Sequence, residues 1–174
     1  MKLIKETESG IMLLQIPAFS DERGIFIKLA DQRLNEIRPF EQRQLNCVIN
    51  KKKFTCRGLH YQEGEFAESK IFSVLKGSIQ VVACNIDNRS SYYKQTFSEL
   101  ISQPDIALWI PRGFATGYCT LEDETTVLYS SDNDYHPEAE GGVRWDDPCL
   151  MNTKLPAYKN LIVSVKDLAW PDMI

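Results

Sequence analysis

A chain of 174 residues with 43% hydrophobic side chains can bury a full core as a single domain, without disulfides or a structural metal. Its formal net charge is −4, from 20 Lys and Arg against 24 Asp and Glu, which excludes a broad basic surface for nucleic acid or for an anionic membrane. We therefore expect one domain over residues 1–174, in which any anionic ligand is held by local arginines and lysines.

Short runs rich in Ile, Val, Thr, Tyr and Phe recur along the chain and are separated by turns. In chain order the predicted strands are GIMLLQIPAF, GIFIKLA, QLNCVIN, KFTCRGLHY, SKIFSVL, SIQVVACNI, YYKQTFSELI, DIALWIP, ATGYCTL and TTVLYSS. The pair SKIFSVL and SIQVVACNI is predicted to form a hairpin about Lys76 and Gly77. Only DQRLNEIRPF and LIVSVKDLAW favour a helix, and both are short. So many strands with so little helix predict an antiparallel β-sandwich or barrel, for which a jelly roll is the natural closed form.

Five cysteines lie singly within apolar runs and form no CxxC pair, a pattern typical of buried free thiols in a reducing compartment: Cys47, Cys56, Cys84, Cys119 and Cys149. The first ten residues, MKLIKETESG, lack the apolar segment of a secretory signal, and no apolar run approaches the length of a membrane helix. We expect a cytoplasmic protein that neither binds nucleic acid nor enters a membrane.

The segment RGLHYQ contains His60, one of only two histidines; the other is His136. Two scattered histidines without HxH or ExxH spacing make a poor ligand set, so the sequence predicts no metal and no other cofactor. Strict alternation along a strand would place Arg57 and His60 on opposite faces, unless Gly58 permits a bulge. From the residues alone, His60 is either a strand histidine satisfied by a backbone carbonyl or part of a functional site.

Seven segments follow one another in the order DERGIF (21–26), QLN (44–46), RGLHYQ (57–62), SKIFSVLKGSIQVV (69–82), WIPRGFATGY (109–118), VLYSSDNDYHPEAEGGVRWDDP (127–148) and VSVKD (163–167). In this order and spacing they resemble the deoxythymidine-diphosphate (dTDP) 4-dehydrorhamnose 3,5-epimerase family and its relatives, over nearly the whole chain. The resemblance implies an all-β cupin jelly roll, an antiparallel β-sandwich or barrel with short helices, which is metal-free and usually a homodimer. It implies an isomerase of deoxysugar biosynthesis, which inverts C3, C5 or both beside the ketone of a nucleotide-diphospho-4-keto-6-deoxy sugar.

The resemblance also implies a role for each site residue. A hydrogen next to a ketone is only weakly acidic, so the reaction needs a base on one face of the sugar, an acid on the other and a positive group at the ketone oxygen. The implied base is His60, oriented by Asp167; the implied acid is Tyr129, and the implied cation is Lys70. The implied substrate contacts are Arg23 and Arg57 at the diphosphate, Gln44 and Asn46 on the nucleotide side, Tyr135 stacked on the base, and Glu140 and Lys166 elsewhere on the ligand.

Two positions depart from the family pattern. GFATGY stands where the family usually has GFAHGF, so Thr116 replaces a second site histidine; a threonine cannot be cationic and offers one hydroxyl at shorter reach. A single-site 3- or 5-epimerase, or a different sugar, is therefore an alternative to the 3,5-epimerase. Lys28 stands where the family commonly has a glutamate near the nucleoside. A lysine only donates hydrogen bonds, and cytidine presents acceptors at N3 and O2, so a cytidine-diphosphate (CDP) sugar is an alternative to a dTDP sugar.

Three other classes of function fit the same scaffold. A 3,4-ketoisomerase would also enolise the sugar but need not invert a centre. A non-catalytic cupin would bind the sugar nucleotide without turning it over, although the retained His60, Tyr129 and Asp167 favour an enzyme. A metal-dependent cupin would need ligands that the two histidines supply poorly.

Overall fold

Antiparallel strands are the main secondary structure of the protein. The structure is a computed structural model, and it describes residues 1–30, 34–151, 153 and 160–173. The strands in this part of the chain are β1 (Lys2–Glu6), β2 (Met12–Gln15), β3 (Ala18–Asp21), β4 (Gly24–Ile27), β5 (Gln44–Asn50), β6 (Cys56–Gln62), β7 (Lys70–Lys76), β8 (Ile79–Asn85), β9 (Thr96–Ile101), β10 (Ile106–Ile110), β11 (Phe114–Thr120), β12 (Thr125–Ser131) and β13 (Glu140–Gly142). The helical segments are α1 (Leu34–Ile37), α2 (Val165–Leu168) and 3₁₀ turns at Gly64–Phe66, Pro137–Ala139 and Pro148–Leu150.

Every predicted strand segment contains a strand, and both predicted helical segments contain a short helix; residues 31–33 of DQRLNEIRPF lie outside the described residues. The predicted segment GIMLLQIPAF holds β2 and the start of a separate strand, β3, and two further strands lie outside the predicted segments. The side chains of β1 are exposed throughout, so its sequence carries no buried face to reveal it. The strand β13 is only EGG, and it pairs with β6 through its backbone.

The strands form a six-stranded sheet in the order β1-β2-β10-β7-β12-β5, a five-stranded sheet in the order β13-β6-β11-β8-β9, and the separate hairpin β3-β4. Neighbouring strands in all three are antiparallel. Successive strands from β5 to β8, and again from β9 to β12, alternate between the two large sheets. This winding confirms the predicted antiparallel sandwich and gives it the connectivity of a jelly roll.

The predicted hairpin about Lys76 and Gly77 is wrong. β7 lies between β10 and β12 in one sheet, whereas β8 lies between β11 and β9 in the other. Gly77 has a φ of +81°, and a Cβ there would collide with Thr125. A glycine with positive φ reverses the chain without determining which sheet receives the next strand. Since β8 is buried along its whole length, it takes a central position where both of its faces are covered.

Apolar side chains from both sheets alternate into the space between them and form the central core. It includes Phe72 and Val74 of β7, Val81 of β8, Leu108 of β10 and Val127 of β12. A second apolar cluster covers the outer face of the five-stranded sheet and includes the C-terminal residues Leu161, Val163 and Met173. This packing brings α2 against β6, where the candidate site lies. No helix in the described part of the chain is long and apolar enough to cross a membrane.

Candidate active site

A cavity of about 320 Å³ lies between the sheets and is lined by residues that include His60 on β6, Lys70 on β7 and Tyr129 on β12, with Gln44 and Asn46 on β5. A neighbouring cavity of about 280 Å³ shares the first three of these side chains and extends to Arg57, Thr116, Lys166 and Asp167. We call the two together the intersheet cavity. Most of the residues singled out in the sequence therefore meet in one place. Among the described residues, no group of three or more His, Cys, Asp or Glu is placed to hold a metal ion.

Arg57 and His60 both face the intersheet cavity because β6 is irregular between them. Thr116 of β11 pairs with His60 and Tyr118 pairs with Arg57, so three steps along β6 match two along β11. Gly58 has a φ of +99°, and a Cβ there would lie 2.6 Å from the carbonyl oxygen of Thr116. Only glycine fits this position, so the bulge that Gly58 permits is present and turns the arginine to the same side as the histidine.

His60 is paired with a buried carboxylate. Its Nε2 lies 2.7 Å from Oδ1 of Asp167, and Oδ2 of Asp167 accepts a hydrogen bond of 3.3 Å from the backbone N–H of Gly58. The N-terminus of α2 places the aspartate, because the Asp167 N–H donates to Oγ of Ser164 at 3.0 Å. Burial alone would raise the pKa of Asp167, but the hydrogen bonds from His60, Gly58 and Ser164 and the charge of His60 hold that pKa below its usual value. The carboxylate therefore stays ionised and orients the imidazole.

Tyr129 faces the cavity from the opposite sheet. On β12 it pairs with Asn46 of β5 and Phe72 of β7, and its ring stacks on that of Phe72 with centroids 5.7 Å apart. Burial raises the pKa of Tyr129, and the nearby charge of Glu68 raises it further, while Arg57 lowers it. The phenol therefore remains protonated at neutral pH and can donate a proton.

Lys70 projects into the cavity as one half of an ion pair. Its Nζ lies 3.0 Å from Oε1 of Glu68, and the two side chains are only 11% and 9% exposed. Both charges are largely removed from water, which favours pairing over separate solvation. The arrangement places a positive group on the Tyr129 side of the cavity, with a carboxylate beside it.

Glu140 lines the cavity beside His60 and is held by two donors. Oε2 of Glu140 accepts hydrogen bonds of 2.6 Å from the hydroxyl of Tyr135 and 2.6 Å from Nζ of Lys166, while its Oε1 lies 4.0 Å from Nδ1 of His60. Burial would raise the pKa of Glu140, but these two donors and the charge of His60 lower it overall. The ring of Tyr135 is 52% exposed and is open to contact by a ligand.

Thr116 lies beside His60 rather than across from it. It is 5% exposed, and its Oγ1 donates a hydrogen bond of 3.4 Å to the backbone carbonyl of His60. On the other wall, Nε2 of Gln44 donates to Oγ of Ser131 at 3.2 Å and to the carbonyl of Asn133 at 2.7 Å.

Two predicted contacts lie away from the intersheet cavity. Arg23 and Lys28 belong to the β3-β4 hairpin and the residue after it, where both are exposed, and neither lines the cavity. Arg23 is paired with Asp21 on its own hairpin. The single chain does not bring these two residues together with His60.

Several lining residues were not predicted from the sequence: Gln62, Glu68, Phe72, Tyr118, Ser131 and Ser164. Alternation along a strand places residues two apart on one face, and this signal could have found five of them. Glu68 and Phe72 flank Lys70 by two positions, while Gln62 follows His60, Tyr118 follows Thr116 and Ser131 follows Tyr129 by two.

A jelly roll with ionisable side chains on both walls of an intersheet cavity defines a cupin-type protein with a polar ligand site. The chain matches the family model described as dTDP-4-dehydrorhamnose 3,5-epimerase over residues 6–174. It therefore belongs to the dTDP-4-dehydrorhamnose 3,5-epimerase family, whose members are isomerases.

Relatives of known sequence and structure agree with this assignment. The chain is 32% identical over 179 residues to the dTDP-4-dehydrorhamnose 3,5-epimerase of Salmonella typhimurium, an alignment that covers 98% of this chain and 94% of that protein. It superimposes with a TM-score of 0.90 and 31% identity on the Bacillus anthracis dTDP-4-dehydrorhamnose 3,5-epimerase solved with TDP and PPi bound, over 98% of each chain. The TM-score is also 0.90, at 29% identity, for the Legionella pneumophila dTDP-6-deoxy-D-glucose-3,5-epimerase in complex with dTDP-4-keto-L-rhamnose, over 99% of this chain and 92% of that one.

Proposed function

We propose that the protein inverts C3, C5 or both of a nucleotide-diphospho-4-keto-6-deoxy sugar, in the manner of the dTDP-4-dehydrorhamnose 3,5-epimerases, as a step of deoxysugar biosynthesis. The observation that carries this proposal is the position of His60 and Tyr129 on opposite walls of one cavity. Inversion requires that a proton leave one face of the carbon and that another arrive on the opposite face. A base and an acid on facing sheets meet this requirement.

In the proposed mechanism His60 is the base. Its Nε2 is hydrogen-bonded to Asp167, which leaves Nδ1 as the nitrogen that accepts the proton from the carbon. The electron pair of the broken C–H bond moves to the ketone oxygen and forms an enolate, beside which Lys70 supplies positive charge. Tyr129 then donates its proton to the opposite face of the same carbon as the ketone re-forms. Solvent returns a proton to the phenolate and removes one from the imidazolium, which completes the cycle.

The remaining cavity residues are proposed to bind the nucleotide. The guanidinium of Arg57 suits a diphosphate oxygen, because it can present parallel N–H donors. Gln44 and Asn46 offer amides on the nucleotide side, and the exposed ring of Tyr135 offers a face on which the base can stack. Glu140 and Lys166 provide one acceptor and one donor for further ligand contacts.

We further propose a homodimer in which the β3-β4 hairpin of one subunit reaches the cavity of the other. This would bring Arg23 and Lys28, which lie outside the cavity of their own chain, to a diphosphate and a nucleoside. The hairpin exposes apolar side chains that a partner would cover, with Phe19 59%, Ile25 53% and Phe26 62% exposed. We propose a cytoplasmic location, which suits five free cysteines, two of which, Cys84 and Cys149, have Sγ atoms 3.6 Å apart.

A single-site epimerase is the second candidate, and the observation that favours it is Thr116. Its hydroxyl is directed to a backbone carbonyl, so the cavity has one fewer side-chain donor for the sugar than a histidine there would give. A CDP sugar is the alternative to a dTDP sugar, because Lys28 can only donate and cytidine presents acceptors at N3 and O2.

One experiment tests these proposals together. The protein is incubated in D₂O, with and without EDTA, with dTDP- and CDP-linked 4-keto-6-deoxyglucose, and the sugar is followed by NMR and mass spectrometry. We expect deuterium at C3, C5 or both, with inversion, and no effect of EDTA. A ketone moved from C4 to C3 would identify a ketoisomerase, an unchanged sugar would identify a binding protein, and loss of turnover on chelation would identify a metal enzyme.

A further inference from the structure

The buried side-chain amide of Asn50 accepts a hydrogen bond from the guanidinium of Arg57. Nε of Arg57 donates a hydrogen bond of 2.9 Å to Oδ1 of Asn50, the last residue of β5. Asn50 is 1% exposed, and its Nδ2 donates to the backbone carbonyl of Thr125 at 3.2 Å and to that of Val48 at 3.4 Å. Because backbone carbonyls take up the amide N–H groups, the orientation of the amide is determined, and Oδ1 is the atom left to face Arg57.

A buried phenol meets the same oxygen. Tyr118 on β11 is 2% exposed, and its hydroxyl donates to Oδ1 of Asn50 at 3.4 Å. Its ring is fixed by an edge-to-face contact with Phe72, with centroids 6.3 Å apart. Burial raises the pKa of Tyr118 to about 12, although the charge of Arg57 opposes the rise, so the hydroxyl stays a neutral donor in the cell. The contact links β5 of one sheet to β6 and β11 of the other.

We propose that Asn50, assisted by Tyr118, is a positioning residue that aims the terminal N–H groups of Arg57 at the diphosphate of the substrate. This inference rests on the proposed function, in which Arg57 binds that diphosphate. A guanidinium has five N–H donors in a rigid plane, and fixing the Nε–H stops rotation while the donors on the terminal nitrogens face outward. Arg57 is exposed, so without Asn50 its side chain would sample many rotamers and lose that freedom when the ligand binds.

A double-mutant cycle on ligand affinity tests the inference. The probes are dTDP and thymidine, with CDP and cytidine as a second pair, measured by calorimetry. We expect Asn50→Ala to weaken nucleoside-diphosphate binding about three- to tenfold, the cost of ordering one long side chain, and to change nucleoside binding less than about twofold. In an Arg57→Ala background, Asn50→Ala should cause no further loss. With substrate, the effect should appear in KM rather than in kcat, because His60 and Tyr129 are untouched.

Tyr118→Phe provides a second variant that keeps the buried ring and removes only the hydroxyl. It should weaken diphosphate binding less than Asn50→Ala does. If Asn50→Ala does not fold, Tyr118→Phe replaces it in the double-mutant cycle with Arg57→Ala. Equal weakening of diphosphate and nucleoside, or a further loss in the Arg57→Ala background, would overturn the inference, since either shows that Asn50 acts on the cavity as a whole. Unchanged diphosphate affinity in Arg57→Ala would show that Arg57 does not bind the diphosphate and would also overturn the inference. Absence of epimerisation in the D₂O experiment would reject the proposed function. The double-mutant cycle would still test the role of Asn50, because it measures ligand affinity and needs no turnover.

Discussion

At the scale of single residues, His60 carries the most specific expectation. Replacing it by alanine or asparagine should abolish deuterium exchange at the carbons next to the ketone, because no other imidazole lines the intersheet cavity in the described part of the chain. Loss of a positioned base typically costs roughly 10²–10⁴-fold in rate. Exchange is measured by NMR in D₂O. His136→Ala is the matched control, since that histidine is paired with Glu138 outside the cavity, and it should exchange normally. Near-normal exchange by a folded His60→Ala protein would reject the mechanism.

Tyr129→Phe should separate exchange from inversion. The base on the opposite wall can still remove a proton and return a deuteron on its own face, but the donor for the other face is missing. We expect deuterium incorporation with little epimer formed, read by mass spectrometry and NMR on the same sample. Phenylalanine can keep the stacking on Phe72, so the cavity should hold its shape. Tyr61→Phe is the control and should invert the sugar normally. Its phenol lies on β6 with His60, in the sheet opposite Tyr129. Full inversion by Tyr129→Phe would mean that another group is the acid.

Thr116 bears on which carbon is inverted. Loss of one positioned donor can cost on the order of 3 kcal/mol in a transition state, enough to silence the slower of two inversions while the faster one survives. We expect the natural enzyme to exchange one of C3 and C5 much faster than the other. Thr116→His should raise exchange at the slow position, because it adds an imidazole donor to the wall of the cavity that Thr116 lines. Comparable exchange at both carbons in the natural enzyme would show that Thr116 does not narrow the reaction.

At the scale of elements, the carboxylate of Asp167 links α2 to His60 of β6, in addition to the apolar contacts that place the C-terminal segment. The folded pKa of Asp167 is lowered, so its contribution to stability is complete above the unfolded pKa of about 3.9 and is lost as pH falls through the lower folded value. We expect the unfolding free energy of the natural protein to drop more steeply below about pH 4 than that of Asp167→Asn. Urea titrations between about pH 3 and pH 6 measure this. The exposed Glu65→Gln is the control and should follow the natural protein. An equal slope for Asp167→Asn would show that the carboxylate of Asp167 does not contribute to the pH dependence of stability.

At the scale of the whole molecule, Arg23 and Lys28 on the β3-β4 hairpin lie outside the cavity of their own chain, so we expect a complete site to need two chains. A dimer is expected by sedimentation equilibrium. Mixing subunits of Arg23→Ala with subunits of His60→Ala should restore about a quarter of the natural activity, because statistical mixing makes half of the dimers hybrid, and each hybrid holds one intact site if Arg23 acts across the interface. The single variants should be weakly active or inactive alone. A mixture no more active than the sum of its parts would place Arg23 in its own subunit or outside the site.

Much of this architecture was accessible from the sequence, because the signals involved are local. Alternation of apolar residues predicts a strand without knowledge of which strand will pair with it. Each predicted segment therefore contains a strand, and the number of segments indicated the antiparallel sandwich. The order of RGLHYQ, GFATGY and the WDDP block indicated the family, which the comparison over residues 6–174 confirmed. The residue roles, the homodimer, the cytoplasmic location and the single domain over residues 1–174 stay predictions.

Only the tertiary structure decided what depends on packing between distant segments. A glycine turn looks the same whether it closes a hairpin or crosses the sandwich, so the separation of β7 from β8 was not visible in SVLKGSIQ. Asp167 lies 107 residues from His60, and its position follows from the apolar contacts that place the C-terminal segment over the five-stranded sheet. The extra residue at Gly58 turns the side chain of Arg57 toward the cavity. It must be a glycine, because β11 approaches too closely for a side chain there. The sequence by itself therefore determined most of the strands and the chemistry available to them. The packing of the two sheets against each other decided which side chains meet, because those contacts join residues far apart in the chain.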